Sequence, residues 1–161
     1  MRIYYEVVGE SFYRQNIQML GDRNTKYDIP NAKLQQIAAG TVVYEYYFNN
    51  LYPQIFAEPN NPHDRNALRV DINGLTVGYI PRDENIECAN ILSHSKFIMT
   101  ARIKGGRSKT VSSTNIILNE YDFRVTLCVD ISSSNYTPSQ GNTFDLKSNV
   151  KNWIKSKLSH L

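Results

Sequence analysis

Nine residues, EPNNPHDRN at positions 58–66, hold two prolines and three asparagines and cannot run as helix or strand. The next fourteen positions are equally constrained. Residues 67–72 (ALRVDI) alternate apolar and polar with period two. Asn73-Gly74 is the strongest short hairpin signal, and residues 75–80 (LTVGYI) return. A stiff, shaped loop therefore abuts a tight hairpin. Whatever fold the chain takes must seat that hairpin in a sheet and leave the loop at its edge.

The rest of the chain is consistent with a β-rich domain. Residues 2–8 (RIYYEVV), 41–48 (TVVYEYYF), 52–57, 96–104 and 121–131 (YDFRVTLCVDI) read as strands, and 11–14 as a turn or strand exit. Eleven tyrosines and six phenylalanines support that reading. Residues 21–28 are polar and turn-rich. Pro30 opens a short helix over 31–39 that Gly40 stops, and acids after Pro81 open a second over about 83–93. Gly105 to Lys109 reads as a flexible basic loop. The coarse outcome is mainly β (α+β): six or seven short strands and two short helices, curled as a small sheet or barrel of the OB or SH3 kind.

Residues 132–142 (SSSNYTPSQGN) read as a linker. Beyond it, Leu146, Val150, Trp153, Ile154, Leu158 and Leu161 form a helical stripe, so 143–161 is expected to be an amphipathic helix. The expected division is a domain at 1–131, a linker at 132–142 and that helix. The apolar stripe needs a cover: the chain's own domain, a second copy in a homodimer, or another protein.

Charge and cysteine usage narrow the function. Eighteen Lys+Arg against 15 Asp+Glu give a net +3, which permits an anionic partner without demanding one. Cys88 and Cys128 lack metal-ligand spacing and read as two reduced, buried thiols. There is no Walker-type loop, no apolar run long enough for a membrane span and no signal-peptide pattern, so no cofactor and no membrane are expected and the location is expected to be cytoplasmic.

The stretch from Glu58 to Pro81 resembles the signature of the HIRAN domain, approximately EPxNPxDxNAhxV…G…hGYIP, where h is apolar. Val7-Val8-Gly9 followed by Phe12 resembles the family's first strand. The resemblance covers roughly residues 3–131 and is closest to the stand-alone bacterial or phage form, with an insertion at about 21–50. It implies an OB-like barrel that grips single-stranded DNA or a DNA 3′ end without catalysis, as in eukaryotic DNA-repair translocases. By that resemblance Asp64 is the carboxylate that accepts the terminal hydroxyl, Phe12 is the first stacking aromatic, His63 stands where the eukaryotic form has Tyr, and Tyr79 where it has a phosphate-contacting His. Ser11 replaces a basic residue that Arg14 stands near, and Tyr121 or Phe123 matches a further aromatic.

Each residue also has a structural reading. Asp64 is equally suited to cap a turn, and Phe12 and Tyr79 to sit in the core. Arg65, Arg69 and Arg82, and the group Arg102, Lys104, Arg107 and Lys109, are phosphate contacts or a solvated face. Two other functions compete: a protein-interaction module acting through 143–161, including one that inhibits a host nuclease, and a metal-dependent nuclease using Glu58, His63, Asp64 and Asp71. The acids form no recognisable metal-binding set, so no metal and no enzyme activity are expected.

Overall fold

The computed structural model describes residues 1–131. The expected linker at 132–142 and helix at 143–161 lie outside the described residues. In chain order the elements are β1 (Arg2–Glu6), a 3-10 turn (Glu10–Tyr13), α1 (Arg14–Met19), β2 (Asp22–Arg23), a second 3-10 turn (Thr25–Asp28), α2 (Asn31–Leu34), β3 (Val42–Tyr44), β4 (Tyr46–Tyr47), β5 (Pro53–Ala57), β6 (Leu68–Ile72), β7 (Leu75–Tyr79), α3 (Asn85–His94), β8 (Phe97–Val111) and β9 (Ile116–Ile131).

The fold is mainly β. Four antiparallel strands run in the order β1-β9-β8-β3, three more in the order β5-β6-β7, and β2 pairs with β4. The expected barrel does not close among the described residues. The two larger sheets are joined by the isolated bridge Val8–Tyr79, whose two backbone hydrogen bonds are each 2.9 Å. The core lies between them. In β9 the inward set is Phe123, Val125, Leu127 and Val129, all buried, while Arg124, Thr126 and Cys128 face outward. Opposite them stand Leu68, Val70 and Ile72 of β6 and Val77 of β7, each 0% exposed. Burying each such side chain contributes about 1.5–3 kcal/mol. The hairpin expected at Asn73-Gly74 is present, and both residues have positive φ, 49° and 81°, as a type I′ turn requires.

Several elements differ from expectation. The basic stretch at 105–109 is no flexible loop: it lies inside the 15-residue strand β8, and the register with β9 shifts at Gly105, which stands opposite two residues, Asp122 and Phe123. A Cβ on Gly105 would stand 2.1 Å from the Asp122 carbonyl, so the two strands approach there as only glycine allows. The helix expected over 31–39 ends at Leu34. Gln36 and Ile37 bond three residues back rather than four, and beyond the buried Leu34 the apolar residues Ile37, Ala38 and Ala39 stay exposed, with nothing to pack against. Residues 11–19, expected to begin as a turn, hold a 3-10 turn and α1, anchored by the buried Ile17 and by Asn16 Nδ2 donating to the Thr76 carbonyl at 2.8 Å. The polar stretch 21–28 supplies β2 and a 3-10 turn, and β9 begins five residues before the expected strand. Cys88 is buried and Cys128 partly so; both are free thiols, and burial pushes the Cys88 thiol up to about 12.

Candidate nucleic-acid interface

The loop at 58–66 holds itself together before it meets anything else. Asn61 Oδ1 accepts the backbone N–H groups of His63 (2.9 Å) and Asp64 (3.2 Å). Asp64 Oδ1 accepts that of Asn66 at 2.8 Å, and the Asp64 carbonyl that of Ala67 at 3.0 Å. These side-chain-to-backbone bonds replace a regular ladder and explain the asparagine content. Glu58 closes the loop's base. Its carboxylate accepts hydrogen bonds from Asn61 Nδ2 (3.0 Å), Arg69 Nη1 (2.7 Å) and the Tyr79 hydroxyl (3.2 Å).

Asp64 serves both readings. It caps a turn through Oδ1, while Oδ2 faces two donors: Asn85 Nδ2 at 2.8 Å and Arg82 Nε at 3.9 Å. Its side chain is 19% exposed, so it is neither free nor entombed. Asn85, at the start of α3, is 2% exposed, and its Oδ1 is buried without a hydrogen-bond partner. It is thus a fixed donor that sets the carboxylate's orientation. Asp64 lines an open polar hollow with Pro59, Pro62, His63, Arg65 and Arg82. His63, Arg65 and Arg82 are exposed around it.

The structure brings His63, Asp64, Arg65 and Arg82 together. Phe12 and Tyr79 do not line that hollow. Phe12 is 88% exposed, so it is no core residue; it projects from the 3-10 turn that packs on β7 and β9. Tyr79 is half-buried and packs against Tyr13, with ring centroids 6.4 Å apart. Burial, then the contact with Tyr13, pushes its hydroxyl's pKa up and keeps it a neutral donor to Glu58. The relay Tyr13, Tyr79, Glu58, Asn61 connects the Phe12 turn to the loop. Arg14 is committed elsewhere, in ion pairs with Glu120 and Asp122 and over the Phe123 ring at 5.4 Å. Arg107 pairs with the buried Glu45 at 2.9 Å, and Lys109 donates to the Tyr27 carbonyl at 2.7 Å. Tyr121 is exposed on β9, opposite Gly106.

Sequence reasoning missed Asn85 and the closing role of Glu58, because both act through partners more than twenty residues away in sequence or on another strand. Glu58 and Asp71 both pair with Arg69, at 2.7 and 2.9 Å, so two of the acids considered for a metal are already neutralised. Among the described residues, no helix is long and apolar enough to cross a membrane.

Glu58 also sets a pH dependence. Burial pushes its carboxyl up, but the hydrogen bonds from Asn61, Arg69 and Tyr79 outweigh that and hold it below the usual range. A lowered folded-state pKa gives stability that is present above the unfolded value, about 4.3, and is lost as pH falls through the lowered one. Urea unfolding between about pH 5 and pH 3 is expected to show this loss, and Glu58→Gln to flatten part of it. An unchanged slope in Glu58→Gln removes Glu58 from the acid response.

Among protein-family models, the one described as HIRAN domain matches residues 34–121, more than half of the chain. No curated protein matches the chain. Among solved structures, the chain is similar to the crystal structure of the HIRAN domain of human HLTF, with 15% identity, 99% of this chain and 87% of that chain covered, and a TM-score of 0.28.

Proposed function

Taking as premise that this chain belongs to the HIRAN domain family, we propose that it is a non-catalytic DNA-binding module that takes single strands by their 3′ ends, in the manner of a stand-alone bacterial or phage family member. The observation that carries the reading is the setting of Asp64: a partly exposed carboxylate, oriented by Asn85, with an arginine beside its outer oxygen. A 3′ hydroxyl is a donor that such a carboxylate accepts in a short, charge-assisted bond. The preceding phosphate is a partner for the Arg82 fork, and Arg65 and His63 stand on the same rim. A terminal 3′ phosphate has no hydroxyl to donate there and brings like charge to the carboxylate.

The exposed Phe12 supplies a face for a base, worth about 1–3 kcal/mol when one stacks on it. Tyr79 supports the loop through Glu58 in this reading rather than contacting the strand. Arg14, Arg107 and Lys109, already engaged within the protein, contribute to the positive field more than to direct contact. Phosphate contacts position a strand without reading its sequence, so binding is expected to be tolerant of sequence and to weaken steeply with salt.

Fluorescence anisotropy with oligonucleotides ending in 3′ hydroxyl or 3′ phosphate tests the proposal. The hydroxyl form is expected to bind about tenfold tighter, the scale of one charge-assisted hydrogen bond. Asp64→Asn keeps an acceptor for the Asn66 N–H while removing the charge, and is expected to abolish that preference. Equal binding of both ends by the wild-type protein removes the end-recognition claim; binding of neither at low salt removes the DNA claim.

A further inference from the structure

A second hollow lies on the outer face of the long sheet, away from the loop. Its floor is Ser108 and Thr110 of β8 and Asn119 of β9, its apolar walls are Val42 and Tyr44 of β3 and Tyr121 of β9, and Lys104, Asp122 and Arg124 stand at one end. Strand register builds it. Tyr44 pairs with Ser108, Ser108 with Asn119, and Gly106 with Tyr121, so small residues separate two tyrosines that are 50% and 63% exposed. Lys104 stands directly opposite Arg124, immediately before the register shift at Gly105.

That last pair is the informative one. Like charges directly opposite across a ladder are destabilising. Neither cation has a carboxylate within ion-pair distance among the described residues. Of the acids lining the two hollows, Glu6 accepts from the Thr126 hydroxyl at 3.0 Å, Glu10 accepts from the Val125 N–H at 3.4 Å, and the exposed Asp122 lies 3.9 Å from Arg14. Lys104 and Arg124 also line the adjoining hollow with Glu10 and Ser11, on the turn that bears Phe12. The charged end of the trough thus adjoins the Phe12 turn.

We propose that this trough is a second contact surface for single-stranded nucleic acid, with phosphates on Lys104 and Arg124 and bases on Tyr44 and Tyr121. Exposed aromatic faces beside cations that lack a carboxylate partner among the described residues suit a flexible polyanion that carries flat rings; an acidic peptide satisfies the cations and leaves the tyrosines unused. The surface depends on β3, which lies in the stretch read from sequence as an insertion, and so is separate from the loop hollow. The proposal extends the end-binding reading, and a strand without ends separates the two.

The test is anisotropy with a closed circular single-stranded oligonucleotide. The wild-type protein is expected to bind it. The double variant Lys104→Ala/Arg124→Ala is expected to bind it at least about tenfold more weakly and to lower the slope of log K against log salt by about 1.4, the value for two phosphates on a single strand. Tyr44→Ala is expected to weaken it about fivefold or more through lost stacking. All these sites are surface-exposed or partly so, and matching thermal unfolding of each variant confirms the fold. The inference is overturned by a circular strand that the wild-type protein does not bind, by binding that is indifferent to the Lys104/Arg124 and Tyr44 changes, or by polyglutamate competing as strongly as the strand. Equal binding of 3′-hydroxyl and 3′-phosphate strands by the wild-type protein, with circular binding intact, condemns the end site alone.

Discussion

Gly78→Ala is expected to lower the free energy of unfolding by about 3 kcal/mol or more, the combined scale of backbone strain and overpacking. Gly78 has φ 150°, and a Cβ there would stand 2.4 Å from the Val8 carbonyl oxygen and 2.5 Å from Val7 Cγ1. Neither atom can withdraw cheaply. Val8 exchanges two backbone hydrogen bonds with Tyr79, and Val7 is buried in the core. This is the seam where the two larger sheets meet, so the substitution presses on the junction rather than on a surface turn. Urea unfolding monitored by far-UV circular dichroism measures it. A loss below about 1 kcal/mol would mean that the seam relaxes and is not the close contact described.

Glu45→Ala is expected to cost about 2–3 kcal/mol. Glu45 is 3% exposed and lies between Arg23 and Arg107, which are 43% and 50% exposed. Removing one partner of a fully buried ion pair costs about 3–5 kcal/mol, and the figure is reduced here because both arginines can turn into water. The carboxylate ties β2 and the second 3-10 turn, through Arg23 and its 2.5 Å pair with Asp28, to β8 through Arg107. Its backbone reinforces the tie, with Asn24 N–H donating to the Glu45 carbonyl and Glu45 N–H to the Arg107 carbonyl, each at 2.9 Å. Glu45→Gln retains shape and one acceptor and is expected to lose less than Glu45→Ala. If the two variants are equally stable and both match the wild-type protein, the triad contributes nothing net.

Local chemistry sets how much of the fold is legible in the sequence. Asn73-Gly74 announces its hairpin because two successive positive-φ residues suit almost nothing else. The alternation in 121–131 marks the inward face of β9. The composition of 58–66 marks a shaped loop, and its turn bonds follow from Asn61 and Asp64. The errors have physical causes as well. Gly105-Gly106 carries a turn signal, but a long strand runs through the pair, with glycine at 105 because β9 passes too close for a side chain. Helix α1 buries one residue, Ile17, so no stripe exposes it to pattern reading. Arg107 and Lys109 read in sequence as phosphate contacts or a solvated face; their partners, Glu45 and Tyr27, come from far upstream, and no local spacing reveals them. An aromatic three residues after glycine, such as Phe12, fits both core and surface, and only the packing of its turn decides.

The same division runs through the site. The residue types around Asp64 are readable, whereas its orientation is not. That depends on Asn85, from a helix that reaches the loop only in the folded chain.

The central claim is that the hollow around Asp64 receives the terminus of a single strand. Backbone amide NMR tests it most directly, by titrating the protein with a short 3′-hydroxyl oligonucleotide. The amides of residues 61, 63–66 and 82, with the Asn85 side-chain amide, are expected to shift in a saturable way, and the 3′-phosphate form to shift them less. Saturable binding that leaves those amides unmoved, with all changes elsewhere on the surface, would contradict it.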